Sequence, residues 1–258
     1  MVAAVAIVAG GDALTAVRLG VAMTALQTSI GALNDVVDAP RDAGYKPGKP
    51  IPVGLVSPEL ARAVIAAGAV MGLALAAPSG LSTIVVAVVG LAIGYGYDLA
   101  LKGTAGSWVP FAIGIPLLPV FGWLGTTGSL PRSFLVLLPL AVVAAVALAI
   151  ANARADAERD AAAGIESVAL RLGVDRAWAV NAALLVLVVG TACATLVVQG
   201  APLGPLGAAV GAGIVIASGV IVGRGHDDRR LERAWEVQAV GVGLLAAAWL
   251  AGTAIARS

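Results

Sequence analysis

The sequence predicts an all-α, polytopic transmembrane helix bundle, and three observations carry that prediction. Of its 258 residues, 60% are hydrophobic and only 12% charged, with a mean hydropathy of +0.98. A soluble domain carries about 25% charged and 45–50% apolar residues, and a fold of this size has too little interior to hide the excess. The apolar residues also fall in blocks of about 20, the length that crosses a bilayer core as a helix. Lipid offers no partner to an open backbone group, so such blocks are helical. The net charge of +1 gives no reason to expect nucleic acid as a partner. The single cysteine, Cys193, lies in an apolar block and excludes a disulfide framework or a zinc knuckle.

Eight blocks are long enough to span: 13–33, 59–77, 81–97, 107–125, 133–152, 177–198, 203–223 and 234–255. A ninth apolar piece, residues 1–10, ends at Gly10-Gly11-Asp12 and is too short to cross alone. It lacks the basic segment and cleavage site of a signal peptide. It reads as the end of a shortened first helix, with an interfacial segment as the alternative. The expected architecture is eight full spans plus a partial first helix, in one domain over residues 1–258. Pro110, Pro116 and Pro119 fall in one span and are expected to bend it and make room for a cavity.

The connections differ sharply in charge. The segments 34–58 with Arg62, 98–106, 153–176 and 224–233 hold 13 of the 16 Lys and Arg residues. The alternate connections and the C-terminus hold only Arg132 and Arg257, and Arg18 lies inside the first full span. The positive-inside rule therefore places the four polar connections in the cytoplasm of a cell-membrane protein. Fourteen of the 15 carboxylates, all except Asp12, lie on that side as well. Two connections, 34–58 and 153–176, are about 25 residues long, and long ordered loops in compact domains are usually functional.

Each long connection opens with the same spacing. Asn34, Asp38 and Asp42 recur every four residues, and so do Asn152, Asp156 and Asp160. While a helix continues, such residues share a face, and carboxylates one turn apart repel unless a cation lies between them. Mg²⁺ takes oxygen ligands, commonly one or two carboxylates plus substrate phosphates. No Cys or His is near, which disfavours zinc or copper. Two facing clusters of this kind suit a diphosphate held through Mg²⁺, with Lys or Arg adding positive charge. Solvated helix-end carboxylates are the plainer reading of either cluster alone.

These motifs resemble the UbiA superfamily of intramembrane prenyltransferases. The first matches over 34–42 and continues as Lys46-Pro47-Gly48-Lys49-Pro50-Ile51-Pro52-Val53-Gly54-Leu55-Val56-Ser57. The second, 156–160, is followed by Gly164 and Arg171-Leu172-Gly173, and Tyr97…Lys102 is similar to the family's Tyr–Lys motif. Four residues separate that pair, and Asp98 directly follows the tyrosine.

The resemblance implies Mg²⁺ held by Asn34, Asp38, Asp42, Asp156 and Asp160. It implies Lys49, Lys102 and Arg171 as diphosphate-binding residues, and Tyr97 and Lys102 in catalysis. Lys49 and Lys102 are readable also as topology charges, and Arg41, Arg159 and Arg171 as loop charges or ion-pair partners of the acidic clusters. Gln27, two turns from Asn34 on the same face, points toward the expected cavity, and His226 reads as a solvated loop residue.

The implied reaction is prenyl transfer from a prenyl diphosphate to a small aromatic or lipid-like acceptor within the membrane. The Lys-Pro-Ile-Pro-x-Gly run resembles members acting on chlorophyllides or glycerol-phosphate lipids. The alternatives are a membrane terpene cyclase of the same superfamily and a secondary transporter. Transporters place ionisable groups near the bilayer midplane, whereas these clusters stand at helix ends.

Overall fold

The computed structural model describes residues 1–43, 48–104, 106–162, 164–225 and 227–256. Lys46 and His226 lie outside these residues, as does the side chain of Arg41. Eight of the described helices are long and apolar enough to cross a membrane. They are α2 (Ala13–Asp42), α3 (Pro58–Ala76), α4 (Leu81–Gly96), α5 (Val109–Thr127), α6 (Phe134–Ala155), α9 (Val174–Val198), α10 (Leu203–Val222) and α11 (Asp228–Ile255). Three short helices complete the fold: α1 (Val2–Val8), α7 (Ala157–Ala162) and α8 (Val168–Leu172).

The short α1 turns one face into the bundle and leaves Ala4 and Ile7 exposed on the other. Val5 and Ala6 are fully buried, and the helix packs against α2, α5 and α11. At Gly122 of α5, an added Cβ would meet the carbonyl oxygen of Val2 at 3.0 Å.

The most extensive pairings join α2 to α3 and α10 to α11. Both rest on glycine, because little hydrophobic force separates helix from lipid and close backbone approach supplies the attraction. A Cβ on Gly68 of α3 would lie 2.7 Å from the Ala25 carbonyl oxygen of α2. On Gly219 of α10 it would lie 3.0 Å from the Ala234 carbonyl oxygen of α11.

Polar groups within the spans close on one another. Asn181 donates to the Ala147 carbonyl and to Gln238 Oε1, at 2.8 and 3.0 Å, linking α9, α6 and α11. Arg18 donates to the Leu75 carbonyl at 2.7 Å and to Ser79 Oγ at 2.8 Å, so it ties α2 to the α3–α4 corner.

The helix ends depart from the expected blocks where the polar connections begin. α2 runs nine residues beyond 33, through Pro40 to Asp42, and α11 begins at Asp228, six residues before the expected 234. Hydropathy alone ends a helix where charge begins, whereas the intrahelical hydrogen bonds continue into water. The segment 153–176 is likewise no open loop, since α6 reaches Ala155 and α7 and α8 follow. Pro110 stands in the first turn of α5, where its missing N–H is an orphan in any case, so only Pro116 and Pro119 lie within that helix.

Candidate active site

The site forms at the end of the bundle where α2, α4 and α6 carry their acidic residues. α2 stays helical through Asn34, Asp38 and Asp42, so the four-residue spacing does place them on one face. Asp38 and Asp42 are 6% and 7% exposed. Three segments supply their partners.

The first is the turn after α2. Leu55 and Val56 N–H both donate to the Pro50 carbonyl, at 2.9 and 3.1 Å. Gly54 adopts φ +75°, a conformation that favours glycine. Ser57 then caps α3, accepting from Leu60 N–H at 3.1 Å. The turn brings Lys49 back onto α2, where it forms an ion pair with Asp35. Burial alone would lower the Lys49 pKa. The bond to Asp35, with the nearby charges of Asp42 and Asp38, outweighs burial and raises it.

The second segment follows α4. Tyr97–Leu101 is a single π-helical turn, closed by Lys102 N–H donating to the Tyr97 carbonyl at 2.8 Å. The wider turn absorbs the fourth residue between Tyr97 and Lys102, and such π-turns cluster at functional sites. Lys102 pairs with Asp38 and sits 6.0 Å from the centroid of the Tyr97 ring. Tyr97 meets Phe111 of α5 edge to face, with centroids 5.6 Å apart. Asp98, 4% exposed, accepts from Asn34 Nδ2 at 2.8 Å through Oδ1, and its buried Oδ2 makes no hydrogen bond.

The third segment is the end of α6. The helix breaks at Asp156, yet Asp160 N–H still donates to the Asp156 carbonyl at 2.8 Å, so one helical turn persists into α7. Asn152 and Asp160 are half-buried. Asp156 pairs with Arg159 one turn away, and Arg159 reaches Glu232 of α11 at 3.6 Å. Burial pushes the Asp160 carboxyl up, with Asp156 adding to the rise and Arg159 and Lys102 opposing it.

The two clusters lie close enough to act on the same groups. Asp38, Asp98, Asp156 and Asp160 all interact electrostatically with the Tyr97 hydroxyl, and Lys102 acts on Asp38 and Asp160 alike. Among the described residues no three Asp, Glu, His or Cys side chains surround one point. Asp35, Asp38 and Asp156 each pair with a lysine or arginine instead.

Asn34, Lys49, Tyr97 and Asp98 form the polar mouth of a cavity of about 910 Å³, at the upper end of the usual range for ligand sites. The cavity then follows α2 along a stripe at helical spacing, Ile30, Gln27, Met23 and Gly20. From Ile30 to Gly20, at about 1.5 Å per residue, the stripe is about 15 Å long. Gly90 and Gly94 of α4, with Phe111 and Gly114 of α5, line the opposite wall, and α1 lies at the far end. Gln27 therefore faces the cavity, as its spacing predicts.

Two basic residues of the polar connections stand apart. Arg171 is exposed and pairs with Glu166 at 2.6 Å; it lies outside the cavity lining, as do Lys102, Asp38, Asp42, Asp156 and Asp160. Arg154 is buried and donates to the carbonyls of Val174 at 3.0 Å and Gly223 at 2.7 Å, so it clasps α6, α9 and the end of α10. The side chains that sequence reasoning missed are Asp35, Asp98 and Trp235. Asp98 had a signal, an ionisable residue at the end of an apolar block. Trp235 on α11 lines the cavity from far along the chain and had none.

The family model described as the UbiA prenyltransferase family matches residues 1–240, and the chain belongs to that family. No curated protein sequence matches it.

Solved structures share the fold. A UbiA homologue from Aeropyrum pernix K1, without ligand, superposes with a TM-score of 0.74 at 19% identity, covering 98% of this chain and 94% of that one. A homologue from Archaeoglobus fulgidus bound to GPP and Mg²⁺ gives 0.68 at 16% identity, covering 95% and 94%. A digeranylgeranylglyceryl phosphate synthase gives 0.69 at 16% identity, covering 98% and 93%.

Proposed function

We propose that this protein transfers a prenyl group from a prenyl diphosphate to an aromatic or lipid-like acceptor, using Mg²⁺, on the cytoplasmic side of the cell membrane. The observation that carries the reading is the cavity, polar and charged at its mouth, where Lys49 lies among Asn34, Asp35 and Asp98, and largely apolar along about 15 Å of α2 below it. A diphosphate head fits the mouth and an isoprenoid tail fits the shaft. An isoprene unit adds four chain bonds of about 1.5 Å, so the shaft has room for about two to three units beyond the head. The match to the UbiA prenyltransferase family supports the class of reaction, and the Archaeoglobus homologue bound to GPP and Mg²⁺ supports the donor and the metal. The 13:2 division of basic residues supports the orientation.

The donor set fits Mg²⁺. Every candidate is an oxygen donor: Asn34, Asp38, Asp42, Asp156 and Asp160. Asp98 Oδ2, buried and without a hydrogen bond at the same place, shows donor capacity that the protein itself leaves unused. Mg²⁺ takes only one or two carboxylates when substrate phosphates complete its shell, which agrees with the absence of a three-carboxylate point among the described residues. Bound there, Mg²⁺ would neutralise the diphosphate and make it a better leaving group.

The chain's own residues do the rest. Lys49 and Lys102, now paired with Asp35 and Asp38, turn their ammonium groups to the diphosphate as it enters. The allylic C–O bond breaks with its electron pair leaving on the diphosphate, and the allylic cation forms against the walls of the cavity. Tyr97 and Phe111 offer π-faces to that cation. The acceptor's nucleophilic atom supplies the electron pair for the new bond and loses its proton. Arg171, exposed and already paired, contributes least to diphosphate binding.

The test is reconstitution in liposomes with radiolabelled prenyl diphosphates of two to six units and a panel of aromatic and lipid acceptors. Label should move to an acceptor only with Mg²⁺ present. Conversion of the prenyl group to a cyclic hydrocarbon, with free diphosphate released and no acceptor labelled, would replace transfer with a cyclase, and the absence of both products would overturn the reading.

A further inference from the structure

Asp98 belongs to neither acidic motif, yet it is the most buried carboxylate among the described residues, at 4% exposure. Its position continues the helical spacing of α4: Gly90, Gly94 and Asp98 lie four residues apart and all line the cavity, with Asp98 at the mouth across from α2. There Oδ1 accepts the Asn34 amide at 2.8 Å, and Oδ2 is buried without a hydrogen bond. Lys102 lies near, but its ammonium is held by Asp38. A buried carboxylate oxygen without a donor is costly, and this one borders a cavity large enough to admit what would complete it.

We infer that Asp98 is a further oxygen ligand of the site, a third helix's carboxylate that joins Asn34 in holding a divalent cation beside the diphosphate. This rests on the proposed prenyl diphosphate reading. The geometry explains why the two residues touch: Asn34 keeps its amide N–H₂ on Asp98 Oδ1, which leaves the Asn34 oxygen and Asp98 Oδ2 as the pair of donors for the ion. The rival reading is a protonated, purely structural acid that only anchors Asn34. The two readings order the substitutions oppositely. Asp98→Asn keeps the acceptor for Asn34 and removes the charge, so it is silent for a structural acid and damaging for a ligand. Asp98→Glu keeps the charge and disturbs the fit.

The experiment titrates the full chain in detergent with Mn²⁺, which shares the oxygen preference of Mg²⁺. Inorganic diphosphate is present, and free Mn²⁺ is read by electron paramagnetic resonance. The expected result is Mn²⁺ affinity at least about tenfold weaker in Asp98→Asn, at or beyond the effect of losing an outer partner of a metal site. Asp98→Glu stays within about threefold of wild type, and both melting temperatures remain near the wild-type value. Asp98→Asn binding Mn²⁺ like wild type overturns the assignment while leaving the proposed function standing. If Asp98→Asn does not fold, Asp98→Glu decides, and a tenfold loss there overturns it. Wild-type protein that binds no Mn²⁺ with diphosphate overturns the proposed function and this inference together.

Discussion

The two acidic clusters share a spacing but not a structure. The first stands on an unbroken helix, with Asp38 and Asp42 almost fully buried and their charges answered by lysines from distant segments. The second straddles the break between α6 and α7, with the Asp156 side chain 38% exposed and answered by Arg159 one turn away. The first is therefore tied to tertiary structure: α2, the turn at 48–57 and the π-turn after α4 meet there. The second is held chiefly within its own segment, with Arg159 linking it to Glu232 of α11. Identical sequence spacing thus yields one cluster fixed by several segments and one fixed mainly by its neighbour in sequence.

Removing Asp38 should have the largest effect. Asp38→Ala is expected to weaken Mg²⁺-dependent diphosphate binding by more than about 100-fold, since it removes a carboxylate at the centre of the site. It also strands the largely buried Lys102 ammonium, so the protein should melt lower. Adding Lys102→Ala should recover stability without recovering binding, because breaking one half of a buried pair costs more than replacing both. Calorimetric titration and thermal melts of the two variants check this. Binding restored by the double variant would break the comparison.

Asp156→Ala should impair binding in the same direction but leave the melting temperature within about 1 °C. Its pair with Arg159 is partly exposed, and such pairs contribute about 0–1 kcal/mol. A melting loss as large as that of Asp38→Ala would show that the second cluster is equally built into the fold.

The pH dependence sharpens the contrast further. The Asp160 carboxyl is raised above its ordinary value by burial, while Mg²⁺ takes the ionised form. Mg²⁺ affinity should therefore rise with pH through that raised pKa and level off above it, and Asp160→Asn should flatten this limb. In metal-free protein the sign reverses. A raised carboxyl pKa contributes stability that is present below the ordinary value and lost as pH climbs through the raised one. Melts with and without Mg²⁺ across the acid range test both signs.

Much of this was legible in the sequence, for physical reasons. Apolar blocks of bilayer length leave helices as the outcome, and the charge division orders the connections. The four-residue spacing placed Asn34, Asp38 and Asp42 on one face because α2 does continue. Two features were hidden. The link between Asp98 and Asn34 is tertiary: Asp98 shows in the sequence as an ionisable residue at the end of an apolar block, but no spacing joins it to Asn34. Ion pairing is tertiary: nothing in the spacing links Lys49 to Asp35, or distinguishes the buried clasp of Arg154 from the exposed Arg171.

Arg171 should give the smallest effect. Exposed and paired with Glu166, its replacement by alanine is expected to change diphosphate affinity by no more than about threefold. A loss comparable to that of Lys49→Ala would move the 166–173 segment into the site and weaken the view that the second cluster binds through Asp156 and Asp160 alone.

The central claim is that both clusters hold one diphosphate through divalent metal. It is tested most directly by calorimetric titration of the purified protein with a non-ionising geranylgeranyl thiolodiphosphate, with Mg²⁺ and then with chelator. The account predicts tight binding with Mg²⁺, loss of at least about 100-fold on chelation, and comparable metal dependence on both clusters when Asp38 or Asp156 is removed. Equal affinity with and without Mg²⁺ would contradict it.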